Sequence, residues 1–280
     1  MIAATAIEAP NPVDVFLKPT SQDRSNIATV VCSTNADLPC SIPVRVGVFF
    51  DGVNKNMYRD RDGERIALDG ADEGLNGNLQ LTLKPEEASH SNVVRLFQAF
   101  PTDKHSSGYF SYYIPGVGTP FPQIGESTET DNGKAFAKSG KSRIIWGLLQ
   151  VFNGMHATVF DDELLYSPKE AGSLVRDYES KVGRVERDME TKQNDRVTHR
   201  DWFEPRLREL KAKLASRLKP NIPSLTVSVF GFSRGAAEAV AFCHFFAELL
   251  NGGKLAGIPA SIDFLGIFDT VASVGMSDSA

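Results

Sequence analysis

Residues 225–241 read LTVSVFGFSRGAAEAVA, and this stretch decides the fold. Residues 225–230 have the apolar and β-branched pattern of a buried strand. The G-x-S-x-G pentapeptide follows directly at 231–235, and residues 236–250 then form a long apolar helix. Strand, glycine-bounded turn and helix together predict a strained turn that leaves the Ser233 hydroxyl free at the carboxyl end of a sheet.

Strand and helix patterns alternate along the rest of the chain. Three further strand patterns, each ending at a turn signal, occupy residues 44–50, 109–114 and 262–268. Helical patterns occupy residues 91–100, residues 144–152 and two charged amphipathic stretches between 170 and 218. Polar loops are predicted at 54–85 and 119–142. This alternation predicts an α/β-hydrolase-like fold: a mainly parallel sheet with helices on both faces.

The chain is predicted to divide into two parts. Residues 1–43 show no clear period and contain five prolines, so we expect an irregular N-terminal arm. Residues 44–280 are predicted to form part of an α/β-hydrolase core, with a charged helical insertion at about 160–220.

Composition narrows the class of protein. The formal net charge of −5 argues against a general nucleic-acid binder, which would carry a basic face. Three cysteines are too few for a disulfide scaffold. The first residues do not read as a secretory signal, and no apolar run approaches about eighteen residues. We therefore expect the protein to be cytoplasmic in the producing cell, with any export independent of a cleaved signal.

Ser233 is the predicted nucleophile. The backbone N–H of Arg234 is placed to bind an oxyanion, and the following helix directs its positive N-terminal end at the reacting centre. Gly52 or Val53, after the first strand, could donate the second N–H, and Asp51 could orient that loop. For residues 231–235 the alternative is a glycine-rich turn that binds a phosphate or nothing. For residues 51–54 it is a plain turn after the first strand.

The candidate acid is Asp269, because it ends the strand that follows the nucleophile turn and so shares a sheet edge with Ser233. It could equally cap a turn, and Asp278 is a weaker alternative. We expect no cofactor and no metal, because the sequence contains no H-E-x-x-H and no paired C-x-x-C pattern.

No histidine has the expected position for a general base. His244 follows Ser233 by eleven helical residues, about 16 Å at the helical rise, and is expected to pack against the protein. The other four precede Ser233 and break the usual order of serine, acid and histidine; they are His90, His105, His156 and His199. We expect His105 and His199 on the surface. We also expect the chain to be incomplete at its C-terminus, ending before the catalytic histidine.

Five short sequence blocks carry a family resemblance. They are residues 48–52 (VFFDG) with Asn54, 91–93 (SNV), Tyr113 with 115–119 (PGVGT), 231–236 (GFSRGA), and 268–271 (FDTV) with 273–275 (SVG). In this order they resemble a bacterial α/β-hydrolase family that includes the class-one lipase effectors of type VI secretion systems. The resemblance covers residues 44–275, and it departs from the family at Val53, where a small hydroxyl residue is usual.

The resemblance implies a phospholipase with Ser233 as nucleophile, which attacks the membranes of rival cells after delivery to them. It also implies a histidine downstream, an immunity protein that neutralises the enzyme, and a secretion spike protein that carries it. Two other functions stay open: a truncated, non-catalytic hydrolase module that binds a partner, and a small-molecule esterase of the same fold.

Overall fold

The computed structural model describes residues 41–60, 90–102, 107–127, 136–182, 197–217 and 220–271. All of them belong to one compact unit, Cys40–Ala280. The irregular arm predicted at 1–43 lies outside the described residues, apart from 41–43. The candidates His105 and Asp278 lie outside them as well.

A five-stranded sheet forms the centre of the fold. Its strands are β1 (Val44–Phe50), β2 (Tyr109–Ile114), β3 (Leu225–Phe232), β4 (Lys254–Leu255) and β5 (Ile258–Phe268). They lie in the order β2-β1-β3-β5-β4. Strands β2, β1, β3 and β5 pair in parallel, and β4 pairs antiparallel to the start of β5. The predicted, mainly parallel sheet is confirmed, although β5 begins four residues earlier than its sequence pattern.

Six α-helices with described bounds lie between the strands in chain order. They are α1 (Met57–Asp60), α2 (Asn92–Ala99), α3 (Phe136–Val159), α4 (Pro168–Lys181), α5 (His199–Ser216) and α6 (Arg234–Leu249). The helix predicted at 144–152 is shorter than α3 at both ends, and residues 136–142, predicted as a loop, belong to the helix. Polar residues at the start of this helix, Ser139, Ser142 and Arg143, are buried, so the apolar period misses that part of the helix.

Helices cover both faces of the sheet, as predicted. Successive side chains of β1 point to opposite faces. Phe50 packs against Phe242 of α6, with ring centroids 5.6 Å apart, and α3 lies on the same side. Phe49 packs on the other face against Phe97 of α2, also at 5.6 Å. β1, which lies between β2 and β3, is therefore covered on both faces.

The insertion between α3 and β3 consists of α4 and α5. Both helices begin with a capping box, at Ser167 and at Thr198. Their apolar faces pack on the core through residues such as Tyr178 and Phe203. The two amphipathic helices expected between 170 and 218 are therefore present and contribute to the core.

Two histidines lie where the sequence did not predict them. His199 is buried rather than on the surface, because its ring lies within hydrogen-bond distance of the Tyr178 hydroxyl and the Phe245 carbonyl. Burial lowers the pKa of His199 to about 4. His244, expected to be packed, is exposed on α6. None of the described helices is long and apolar enough to cross a membrane.

We predict that Phe242→Ala lowers the free energy of unfolding by about 3–5 kcal/mol, because it leaves a cavity between α6 and β1. The matched control is His244→Ala on the same helix, which should change stability by less than about 0.5 kcal/mol because the side chain is exposed. Urea denaturation measures both. Equal effects of the two substitutions would contradict the packing described for α6.

Candidate active site

Ser233 occupies a strained turn between β3 and α6. Its backbone has φ 55° and ψ −119°, a region that non-glycine residues rarely adopt and that costs about 1–3 kcal/mol. The Ser233 N–H donates to the Phe268 carbonyl at 2.9 Å, which ties the turn to the end of β5. The strained turn predicted from the sequence is therefore present, at the carboxyl end of the parallel strands.

The glycines on each side of Ser233 permit a close approach of backbone segments. A Cβ atom at Gly231 would overlap the carbonyl oxygen of Gly235. A Cβ atom at Gly235 would overlap the carbonyl oxygens of Phe50 and Asp51, at the end of β1. The turn therefore packs closely against the end of β1, and both positions require glycine.

The loop after β1 lies against the same turn. A Cβ atom at Gly52 would lie 2.6 Å from the ring of Phe232, the last residue of β3. The Gly52 N–H donates to Asp51 Oδ1 at 2.8 Å, so this N–H is already occupied and conflicts with Gly52 as an oxyanion donor. The Val53 N–H contacts no acceptor among the described residues. Val53 therefore remains the candidate on this loop.

Arg234 is the first residue of α6. The N–H groups in the first turn of a helix have no acceptor within the helix, and they carry its positive dipole end. The backbone N–H of Arg234 is therefore suitably placed beside Ser233 to bind an anionic oxygen.

Asp51 is a buried carboxyl group at the carboxyl end of β1 and is 1% exposed. It accepts hydrogen bonds from Ser91 Oγ at 2.8 Å and from the Tyr113 hydroxyl at 2.7 Å, in addition to Gly52 N–H. Burial raises the pKa of Asp51, and these three hydrogen bonds oppose that shift. Asp51 therefore joins β1, the N-terminus of α2 and β2.

A second buried group, Arg143 of α3, holds the segment that follows β2. Its guanidinium donates to the carbonyls of Pro115 at 2.7 Å and Thr119 at 3.0 Å. It also forms an ion pair with Glu126 at 2.6 Å. Because Arg143 is fully buried, these acceptors compensate its loss of hydration. The segment 115–126 is thereby fixed at the sheet edge where Ser233 lies.

Glu238 is a third buried ionisable group, which sequence analysis missed. It lies on α6, five residues after Ser233, and its Oε2 atom has no hydrogen-bond partner among the described residues. Burial raises the pKa of Glu238 to about 8, although nearby Arg143 and Arg234 favour its charged form. A glutamate near the start of the apolar run of 236–250 was the available sequence signal.

The candidate acid Asp269 follows β5 directly and has φ 49°. Its side chain is exposed. Phe268, the preceding residue, accepts the hydrogen bond from Ser233 N–H, so Asp269 lies at the sheet edge predicted for it.

Three described histidines are engaged or remote from Ser233. The His156 ring stacks on Phe160, and its Nδ1 lies 2.8 Å from the Glu163 carbonyl oxygen, near the end of α3. His199 contacts α6 near its C-terminal end, and His244 is exposed on that helix. His90 precedes Ser91, and it therefore lies at the same sheet edge as Asp51.

We predict that Glu238 makes stability depend on pH. The unfolded carboxyl titrates near 4.5 and the folded one near 8, so the folded state keeps a proton that the unfolded state releases between these values. The free energy of unfolding should therefore fall as pH rises through this window, by at most about 1.4 kcal/mol per pH unit.

Glu238→Gln removes this titration and should be more stable than the unsubstituted chain at about pH 8, but not at about pH 4.5. Glu248→Gln, on the exposed side of the same helix, is the control and should show no such gain. Urea unfolding at both pH values measures the difference. An identical pH dependence in all three proteins would rule out a buried, protonated Glu238.

Comparisons with known proteins give one informative similarity. No family model and no curated protein matches the sequence. The chain is similar to the crystal structure of an uncharacterized protein from Pseudomonas aeruginosa, with a TM-score of 0.65 and 31% sequence identity. The similarity covers 96% of this chain and 35% of that protein, so the chain spans about a third of the length of its relative.

Proposed function

We propose that this protein is a serine hydrolase that cleaves phospholipid esters, with Ser233 as the nucleophile. The observation that carries the proposal is the strained backbone of Ser233, between a parallel strand and the N-terminus of a helix. Such a turn presents a serine hydroxyl beside backbone N–H groups, which is the arrangement that acyl transfer requires. The strain itself needs an explanation, because an ordinary turn would not retain it.

The residues support a defined division of roles. Ser233 Oγ attacks the ester carbonyl, and the N–H groups of Arg234 and Val53 stabilise the negative oxygen of the tetrahedral intermediate. Asp269 is the proposed acid. A general base must take the serine proton. The family resemblance implies that this base is a histidine further downstream, other than His244.

An apolar surface beside the turn supports a lipid substrate. Phe264, Phe268 and Val271 are exposed by 51%, 46% and 40%. Phe268 is hydrogen-bonded to Ser233 through its backbone, so this end of the apolar surface lies near the proposed nucleophile. Phe264 extends the surface back along β5, beside Ser228 of β3. Exposed apolar clusters of this kind are typical of surfaces that bind lipid or other protein.

The biological setting is proposed from the family resemblance. The protein would act as an antibacterial effector of a type VI secretion system, delivered into the periplasm of target cells. A secretion spike protein and an immunity protein would be its partners.

A non-catalytic binding module is the second candidate function. It is favoured by the positions of His156, His199 and His244, none of which is placed to act on Ser233. The apolar side chains along β5 would then be a contact surface for protein. A small-molecule esterase would use the same turn with a different substrate.

We predict that Ser233→Ala lowers phospholipid hydrolysis by about a thousandfold or more, because the nucleophile is lost. The assay measures fatty-acid release by the natural full-length polypeptide that contains this sequence. Ser216→Ala, an exposed serine on α5, is the control and should retain full activity. Equal hydrolysis by the two variants would remove Ser233 from the mechanism, and inactivity of the unsubstituted protein would favour the binding module.

We also predict a preference for aggregated lipid. Hydrolysis of phospholipid vesicles should exceed hydrolysis of a soluble short-chain ester, because the apolar surface near Ser233 contacts acyl chains. Phe264→Ser should reduce vesicle hydrolysis more than it reduces hydrolysis of the soluble ester. The opposite preference would identify a small-molecule esterase.

A further inference from the structure

In the loop after β1, residues 51–57, every backbone N–H but one donates a hydrogen bond to another described residue. Those of residues 51, 54 and 55 donate to carbonyl oxygens, at 3.0 Å each. Those of residues 52, 56 and 57 donate to side chains, at 2.8–2.9 Å. Only the Val53 N–H has no acceptor among the described residues of this loop. A single unused donor in a fully bonded loop is a potential ligand contact.

The position of this donor depends on the Asp51 carboxylate. Asp51 binds the Gly52 N–H and so fixes the peptide between residues 51 and 52, one residue before the peptide that carries the Val53 N–H. The carboxylate is itself held by Ser91 Oγ and by the Tyr113 hydroxyl. The three side chains come from three separate elements, β1, the α2 cap and β2, so the loop cannot shift without breaking a buried hydrogen bond.

Tyr113 connects to the loop a second time. Its hydroxyl donates to Asp51 and accepts the Met57 N–H at 2.8 Å. The loop is thereby fixed at both ends, at Gly52 through Asp51 and at Met57 through Tyr113. Ser91 also has two roles, since its Oγ accepts the Val94 N–H as the cap of α2.

The loop has close neighbours on both sides. Gly52 lies so close to the Phe232 ring that a Cβ atom would overlap it, and the loop therefore packs against the Ser233 turn. On the other side, a Cβ atom at Gly116 would overlap the Gly52 carbonyl. Since Gly235 contacts the Asp51 carbonyl, a displacement of Asp51 would move the loop relative to Ser233.

We propose that Asp51, Ser91 and Tyr113 form a positioning unit that holds the Val53 N–H in place as an oxyanion donor for Ser233. This inference rests on the proposed hydrolase function. The three side chains do not touch the substrate; they act through the loop that they hold. A structural role alone would alter stability, whereas a positioning role also alters the reactivity of Ser233 and kcat.

The test compares Tyr113→Phe and Ser91→Ala with Tyr109→Phe, the control, whose hydroxyl makes none of these bonds. Each is made in the natural full-length polypeptide, and thermal unfolding confirms that it is folded at the assay temperature. We expect kcat for a soluble ester to fall about tenfold or more in the two test variants, with KM changed less than about twofold. Ser91→Thr keeps the hydroxyl and should restore kcat. The rate at which a fluorophosphonate probe labels Ser233 should fall in parallel.

Val53→Pro provides a second test if the other variants unfold, because proline removes the N–H itself. It should lower kcat by about a hundredfold or more. Wild-type kcat and labelling in folded Tyr113→Phe and Ser91→Ala would overturn the positioning unit, while Ser233→Ala still abolished activity. Absence of labelling and hydrolysis in the unsubstituted protein would instead overturn the proposed function, and the positioning unit with it.

Discussion

The close approach of the Ser233 turn to the end of β1 is the constraint on which the rest of the site depends. Gly235 lies against the carbonyl oxygens of Phe50 and Asp51, where no Cβ atom fits. Because β1 lies between β2 and β3 and the side chains at its carboxyl end are buried, this approach fixes the turn to a closely packed part of the sheet. It also brings the loop after β1 beside the serine, so the proposed nucleophile and the proposed N–H donor on this loop are positioned by the same contact.

Three buried ionisable groups surround this contact, and burial is compensated differently for each. Asp51 accepts three hydrogen bonds, and Arg143 donates to several carbonyls and to Glu126. Glu238 has an Oε2 atom without a partner among the described residues, and its raised pKa keeps it protonated near neutral pH. Buried groups of this kind make the sheet edge rigid, but they also make it sensitive to substitution and to pH.

The exposed apolar side chains of β5 link the site to its surroundings. Strands of parallel sheets are usually buried on both faces, yet Phe264 and Leu265, which point to opposite faces, are both exposed. In a lipid hydrolase this surface would meet acyl chains beside the nucleophile. In a binding module it would meet protein. The same residues thus have a different partner in each of the two functions, and the presence or absence of hydrolysis distinguishes the functions.

The sequence by itself determined the order of strands and helices, the parallel sheet and the turn at Ser233, because these follow from local periodicity and from glycine spacing. It also indicated that Asp51 could orient its loop, with a plain turn as the alternative. Only the tertiary structure decided that Ser91 and Tyr113 hold Asp51, that the Gly52 N–H is occupied, and that Arg143, His199 and Glu238 are buried. Apart from the bond between the neighbours Gly52 and Asp51, these contacts join residues distant in the chain. A buried polar group with partners has the same local sequence pattern as an exposed one.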